Sequence, residues 1–102
     1  MILEMADIRI RPGEQIAFDA AIQHGVETVI AKAIGFRGYK VNRGVESPDR
    51  YVLMILWDTL ENHTVDFRNS SAFGEWRAIV GPYFAVPPQI EHFTLVTKSD
   101  AP

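Results

Sequence analysis

The chain has 102 residues, a formal net charge of −3, 47% hydrophobic and 23% charged residues, and no cysteine. This length fits one domain, and the lack of cysteine excludes disulfides, thiolate metal sites and a thiol nucleophile. The mildly acidic charge disfavours a nucleic-acid partner, because phosphate recognition normally needs a basic face. Any catalytic or binding site is therefore expected to use histidine, aromatic and ordinary polar side chains.

The first two predicted elements are a strand over residues 2–10 and a helix over residues 14–33. Alternating apolar residues at the end of the first segment are typical of a half-buried strand. In the second segment, steps of three and four place one apolar stripe on a helix face, formed by Phe18, Ile22, Val26, Val29 and Ala33. Gly25 is expected to cost this helix about 1 kcal/mol relative to alanine and to mark a kink. Gly35 is expected to be its left-handed C-cap.

Three further strands are predicted, over residues 36–45, 51–57 and 89–97. A Ser-Pro-Asp turn at positions 47–49 separates the first two of them. Residues 51–57 are apolar without interruption, which predicts a strand buried on both faces.

Between the last two strands the sequence predicts a helix broken into two short parts. Asp58 and Glu61 have the spacing of a capping box, so a first short helix is expected from there to about residue 67. Asn69-Ser70-Ser71 then breaks the chain, and a second short helix is expected over residues 72–80.

The resulting order β-α-β-β-α-β predicts an α+β, ferredoxin-like fold with an antiparallel sheet and a split second helix. Its helices cover one face of the sheet and leave the other bare. A bare apolar sheet face is unfavourable in water, so a second sheet packed against it, in a homodimer with a barrel-like centre, is expected. The alternative is a monomer whose third strand is simply apolar.

The candidate site residues cluster around the split helix. Trp57 ends the most apolar strand, His63 and Phe67 share one helix face, and a further group shares the next face: Phe73, Trp76, Arg77 and Val80. If both faces turn toward the sheet, they form an aromatic slot with one imidazole and one guanidinium. Such a slot suits a planar aromatic ligand, with the histidine as a base and the arginine stabilising an oxyanion.

Structural interpretations of the same residues remain open. Trp57 and Trp76 are common core residues, and Arg77 suits a surface ion pair. His63 could instead bond a backbone carbonyl or Asp66, and His92 suits a functional or a structural role equally well.

Two further interpretations concern charged and metal-binding groups. Glu4 and Glu91, near strand ends, are expected to be solvated. Because His24, His63 and His92 lie on separate elements, no metal site is predicted.

The pattern resembles the antibiotic biosynthesis monooxygenase (ABM) family of dimeric α+β barrels. The resemblance covers nearly the whole chain, with a single domain over residues 1–98 and a tail over 99–102. It is carried by short segments along the sequence: Pro12-Gly13, Gly35-Phe36, Trp57-Asp58-Thr59, Glu61-Asn62-His63, Ser70-Ser71-Ala72-Phe73 and Glu91-His92-Phe93.

The resemblance implies a homodimer with one pocket per subunit. In this family some members oxygenate anthrone-like phenols to quinones without metal, flavin or haem. Trp57 and Arg77 match the tryptophan and the pocket arginine of those enzymes, whereas His63 replaces a tyrosine and Leu53 an asparagine. A haem-cleaving branch has an axial histidine where this chain has Arg77, and Phe67 falls near its pocket tryptophan, so haem degradation is disfavoured.

The leading hypothesis is a cofactor-independent monooxygenase acting on a planar, quinol-like aromatic compound. His63, Arg77 and Trp57 are the expected catalytic residues, and the expected substrate-binding residues are Leu53, Phe67, Phe73, Trp76 and His92. The alternative is a non-catalytic ligand-binding or stress-associated dimer of the same fold. No leader-like segment opens the chain and no apolar run approaches the ~20 residues of a membrane helix, so a cytoplasmic protein without a membrane partner is expected.

Overall fold

The chain forms one four-stranded antiparallel sheet, in the order β2-β3-β1-β4, in a computed structural model that describes residues 1–100. The main elements are β1 (Ile2–Arg9), α1 (Gln15–Thr28), β2 (Phe36–Arg43), β3 (Arg50–Trp57), α2 (Ser71–Val80) and β4 (Gln89–Thr94). This architecture confirms the predicted ferredoxin-like α+β fold. The split of the second helix is also confirmed, because a separate π-helical turn, Asn62–Phe67, precedes α2.

Several predicted boundaries were too long, each for a local reason. α1 ends at Thr28 rather than at residue 33, because the chain tightens into a 3₁₀ turn, Ile30–Lys32. β2 ends at Arg43, since the next amide, of Gly44, bonds the Arg50 carbonyl and starts the turn into β3. β4 ends at Thr94, because Thr94 pairs with Ile2, the first residue of β1. Residues after Thr94 have no part of β1 left to pair with.

The core lies between the sheet and the two helices. Alternate residues of β3 point into it, and they are Tyr51, Leu53, Ile55 and Trp57. The predicted stripe on α1 packs above them through Phe18, Ile22 and Val26, which are all fully buried. The inward-facing residues of β3 and the apolar stripe of α1 thus form one core, as the sequence predicts.

The opposite face of the sheet is uncovered in the single chain. Cross-strand neighbours form an apolar row across it, in which Leu3 pairs with Leu56 on one side and Phe93 on the other. Leu56 and Phe93 are 40% and 42% exposed. The expectation that β3 is buried on both faces is therefore wrong for one chain alone, because the helices cover only one side.

Gly25 is explained by packing between the helices and not by a kink. α1 continues through this residue, which is buried. A Cβ atom at position 25 would lie 2.9 Å from two ring carbons of Trp76. The absence of a side chain at Gly25 therefore lets the Trp76 ring lie against the backbone of α1.

Two predictions concern the ends and surroundings of the chain. The predicted tail covers residues 99–102, and its last two positions, 101 and 102, lie outside the described residues. Among the helices of residues 1–100, none is long and apolar enough to cross a membrane.

Candidate functional site

A pocket of about 340 Å³ lies between the sheet, the π-helical turn and α2. It is lined by every predicted site residue except His92: Leu53, Trp57, His63, Phe67, Phe73, Trp76 and Arg77. The two faces of the split helix therefore do turn toward the sheet, and they enclose one cavity. We call this cavity the aromatic pocket.

The π-helical turn is fixed by a capping pair that the sequence prediction placed one residue too early. Thr59 and Asn62 cap each other. The backbone N–H of Asn62 donates to Thr59 Oγ1 (3.1 Å), and the backbone N–H of Thr59 donates to Asn62 Oδ1 (3.0 Å). The expected pair, Asp58 with Glu61, does not form, because Asp58 accepts a hydrogen bond from Arg37 (2.6 Å). The turn then closes with a bond from the Arg68 amide to the His63 carbonyl (3.2 Å), the five-residue spacing of a π-helix.

Gly35 allows the capped turn to sit against the start of β2. Its φ of +84° is a conformation that other residues rarely adopt. The prediction that Gly35 is the C-cap of α1 is wrong, because α1 ends at Thr28 with Val29 as its C-cap and the 3₁₀ turn Ile30–Lys32 lies between. A Cβ atom there would lie 2.1 Å from Asn62 Oδ1. Gly35 therefore leaves room for the side chain that orients the π-helical turn.

Stacked rings form one wall of the aromatic pocket. The His63 imidazole lies over Trp57 with ring centroids 5.4 Å apart and an interplanar angle of 17°. Phe67 lies 6.0 Å from Trp57, and Phe73 meets Phe67 edge-on at 5.8 Å. These flat surfaces suit a planar aromatic ligand better than a branched or bulky one.

Glu4 is the main site residue that the sequence prediction missed. It was expected to be solvated, but it is only 4% exposed and lines the aromatic pocket. Trp57 Nε1 donates to its Oε1 atom (2.9 Å), and His63 Nε2 lies 3.4 Å from the same oxygen. A signal was present in the sequence, because Glu4 shares the strand parity of Ala6 and Ile8, which face the core.

Both ring nitrogens of His63 have protein partners. Nε2 faces Glu4, and Nδ1 lies 2.8 Å from Nε2 of His92. Asp66, the alternative partner, instead accepts a hydrogen bond from Asn62. His92 therefore touches the pocket only through His63, and it does not line the cavity as the sequence prediction expected.

Burial is the main cause of the pKa shifts of Glu4, His63 and His92. It raises the pKa of Glu4 to about 6, although the bond from Trp57 and the positive charge of Arg68 oppose the shift. Burial, followed by the positive charges of Arg68 and His92, lowers the pKa of His63 to about 4. Burial and Arg68 also lower the pKa of His92. At neutral pH the contact between Glu4 and His63 thus joins a carboxylate to a neutral imidazole.

Two arginines, Arg68 and Arg77, line the aromatic pocket. Arg77 lies over the Phe73 ring, with its Cζ atom 5.8 Å from the ring centroid. Arg68, which the sequence prediction did not select, follows the π-helical turn. Within residues 1–100, no carboxylate oxygen lies within 4.0 Å of either guanidinium. The surface ion pair considered for Arg77 is therefore not formed, and both cations can meet an anionic ligand.

A wider and shallower depression of about 680 Å³ lies between α1 and β2. Its polar groups bond one another, since Asp19 accepts hydrogen bonds from Arg43 and from the Tyr51 hydroxyl. The aromatic pocket is the better candidate site, because its charged groups face an enclosed apolar space. In the part of the chain that the structure describes, no cluster of three or more His, Cys, Asp or Glu residues is arranged to hold a metal ion.

Comparisons with known proteins agree with this fold. A crystal structure of a candidate antibiotic biosynthesis monooxygenase from Bordetella bronchiseptica shares 41% identity with a TM-score of 0.89, covering 94% of this chain and 97% of the other. A similar candidate from Caulobacter crescentus has 21% identity and a TM-score of 0.77, over 94% and 90% of the two chains, and supports the fold alone.

A sequence relative and a family profile complete the comparison. YczJ, an uncharacterized protein of Bacillus subtilis, is 31% identical over 93 residues, which is 91% of this chain and 97% of YczJ. Residues 1–79 match the profile of the antibiotic biosynthesis monooxygenase family. That match spans β1 to α2 and includes Trp57, His63 and Arg77. The chain therefore belongs to the antibiotic biosynthesis monooxygenase (ABM) family.

Proposed function

We propose that this protein is a cofactor-independent monooxygenase that converts a planar phenolic compound of the anthrone or hydroquinone type. One observation carries the proposal. A single pocket brings together a stacked aromatic wall, a buried carboxylate beside an imidazole, and two guanidinium groups that have no carboxylate partner within residues 1–100. These groups supply surfaces for a flat ring, a proton acceptor and positive charge for an oxyanion.

The wall and the cations have separate tasks in this proposal. Phe67 and Phe73 hold the ring of the substrate, with the fully buried Trp57 packed against Phe67, and Arg77 stabilises the oxygen anion that forms when the substrate loses a proton. The indole of Trp57 donates to Glu4, so the wall also holds the carboxylate in place. Fixing the reactants in this way lowers the entropic part of the barrier.

The reaction needs only the substrate and dioxygen. Loss of a proton from an anthrone methylene gives a carbanion whose charge is shared with the ring carbonyl oxygen, and this anion supplies the electrons that reduce dioxygen. One oxygen atom forms a bond to the carbon, and the other leaves as water while the methylene becomes a carbonyl. One dioxygen is thus consumed, and one quinone and one water are formed.

The sequence hypothesis gave the base to His63 alone, and the structure suggests a change to that proposal. Because Glu4 and His92 occupy both of its ring nitrogens, His63 has no free nitrogen for a substrate. Uptake of the proton at the Glu4–His63 pair fits this geometry better. His63 then orients the carboxylate and stacks on Trp57.

A homodimer is the second part of the proposal. It is supported by the uncovered apolar row of Leu3, Leu56 and Phe93 and by the dimeric state typical of the family. Packing this row against a second copy would remove the exposed apolar surface from water.

Oxygen uptake tests the catalytic proposal. The wild-type protein is incubated with a panel of hydroxyanthrones and hydroquinones, and oxygen consumption is compared with that of His63→Ala and Arg77→Ala. We expect uptake by the wild type and a loss of at least 10-fold in both variants. Binding without oxygen consumption would instead favour the non-catalytic ligand-binding alternative, and unchanged rates would remove both residues from the mechanism.

A further inference from the structure

Three titratable side chains form a continuous line from the aromatic pocket to the edge of the sheet. Glu4 on β1 and His92 on the edge strand β4 are direct cross-strand partners, so their side chains lie on the same face. His63 comes from the π-helical turn and bridges them, with Nε2 at 3.4 Å from Glu4 Oε1 and Nδ1 at 2.8 Å from His92 Nε2. Glu4 lines the pocket, whereas His92 lies outside it and is partly exposed.

The line consists of a hydrogen bond between His63 and His92 and a longer, 3.4 Å contact between His63 Nε2 and Glu4 Oε1, and its protons have two possible arrangements. When Glu4 is ionised, its Oε1 accepts from Trp57 Nε1 and faces a protonated His63 Nε2, which leaves Nδ1 to accept from His92 Nε2. When Glu4 is protonated, each bond along the line reverses. The carboxyl group then donates to His63 Nε2, and His63 Nδ1 donates to His92 Nε2.

We propose that Glu4 accepts the proton of the substrate and that His63 and His92 relay it to solvent at the edge of the sheet. In each cycle one proton moves from the Glu4 carboxyl group to His63 Nε2, one from His63 Nδ1 to His92 Nε2, and one from His92 Nδ1 to water. The net change is one proton delivered to solvent, an ionised Glu4, and both imidazoles shifted from the Nδ1–H to the Nε2–H tautomer. Both rings then return to the Nδ1–H tautomer by exchanging their protons with water before the next cycle. This role rests on the proposed oxygenation.

The location of the three groups explains why a relay is useful. A ligand in the aromatic pocket would lie against Glu4, which lines the pocket, whereas His92 is not among the lining residues. The proton therefore has a route out while the substrate is still bound, and Glu4 is ready for the next step.

The charges around the line favour the relay. Arg68, at the end of the π-helical turn, and Arg77, on α2, both line the pocket, and the positive charge of Arg68 acts on Glu4. Burial, and to a smaller extent the positive charge of Arg68, lowers the pKa of both histidines, so each is neutral at pH 7 and can donate from one nitrogen while accepting at the other. No other titratable side chain bonds the three groups within residues 1–100.

Turnover and chemical rescue give the kinetic test. In weak buffer we expect His92→Ala to lower kcat at least 10-fold with a KM within 2-fold of the wild-type value, and added imidazole to restore most of the rate. His24→Ala is the matched control, because His24 is exposed on α1 and outside the line. A wild-type kcat in His92→Ala at low buffer would overturn the relay.

Anaerobic binding tests the first step separately. Without oxygen, the absorbance of the phenolate or carbanion reports the transfer of the proton from a bound hydroxyanthrone. We expect the anion with wild type and with His92→Ala, and ligand binding without the anion with Glu4→Gln. Formation of the anion by Glu4→Gln would exclude Glu4 as the acceptor.

A third measurement needs no turnover, so it separates failure of the relay from failure of the proposed oxygenation. Nitrogen-15 NMR of the histidine rings reports which nitrogen carries the proton. We expect His63 and His92 to change tautomer together when Glu4 is protonated, with a midpoint near pH 6, and the change to be absent in Glu4→Gln. Independent titration of the two rings would refute the relay even if oxygen is consumed. A joint change without oxygen uptake would refute only the oxygenase.

Discussion

The buried histidine makes the stability of this protein depend on pH in a way that one substitution can reveal. The pKa of His63 is about 4 in the folded protein and near its ordinary value of 6.5 in the unfolded chain. The unfolded chain therefore takes up the proton first as the pH falls, and folding loses stability between pH 6.5 and 4. At about 1.4 kcal/mol per pH unit, this gap corresponds to about 3 kcal/mol.

Glu4 acts in the opposite direction over a narrower range. Its pKa rises from 4.5 to about 6 on folding, so the folded protein takes up this proton first. Acidification from pH 6 to 4.5 therefore adds stability, by about 2 kcal/mol. The stability of the wild-type protein shows the net result of these two opposing pH effects. A variant that removes the titrating group at His63 reveals the effect of Glu4, and a variant at Glu4 reveals the effect of His63.

The perturbation is His63→Gln, whose amide keeps hydrogen-bonding capacity toward both neighbours but does not titrate. Urea unfolding at pH 7, 5.5 and 4 gives the free energy of unfolding of the variant and of wild type. We expect the stability of the variant relative to wild type to increase by about 3 kcal/mol from pH 7 to pH 4. Glu4→Gln should show the opposite trend, by about 2 kcal/mol. Parallel pH profiles for wild type and His63→Gln would refute the assignment of a buried, neutral His63.

Three further predictions concern packing, assembly and charge. Gly25→Ala should lower the free energy of unfolding by about 1 kcal/mol or more, because the clash with Trp76 exceeds the gain in helix propensity. The control Gly74→Ala, with nothing within 4 Å of the added Cβ, should raise it by up to about 1 kcal/mol; equal effects in urea unfolding would contradict the packing at Gly25. Leu56→Glu on the open sheet face should shift sedimentation from twice the 11.5 kDa chain mass to the single mass, and an 11.5 kDa wild type would contradict the dimer. Arg77→Gln should weaken the affinity for a phenolate, measured by titration, at least 10-fold, and the affinity for a neutral isostere less than 2-fold. Equal losses of affinity would contradict the role of the Arg77 charge in binding an anion.

The fold follows from sequence patterns that act over short distances. The α1 stripe through Phe18, Ile22 and Val26 and the apolar run of β3 both reflect burial, which the spacing of residues records directly. The same spacing brought His63 and Phe67 onto one face, so most of the pocket wall could be predicted. Boundaries were less accurate, because turns such as the one starting at Gly44 depend on bonds between segments.

The polar part of the site could not be predicted from spacing alone. Glu4 lies on the core side of β1, but its burial is acceptable only because Trp57 and His63, distant in sequence, provide partners. The contact between His63 and His92 likewise depends on the register of β4 against β1. The π-helical turn begins with the Thr59–Asn62 cap, and its position against Gly35, which is distant in sequence, depends on the folded chain.

The central claim is that the aromatic pocket inserts one oxygen atom from dioxygen into a planar phenolic substrate. Turnover of a hydroxyanthrone under ¹⁸O₂, followed by mass spectrometry of the quinone, tests this claim directly. We expect wild type, but not Glu4→Gln, to form a quinone with one ¹⁸O atom in the new carbonyl group. A bound ligand that is recovered unchanged, or a quinone whose new oxygen comes from water, would contradict it.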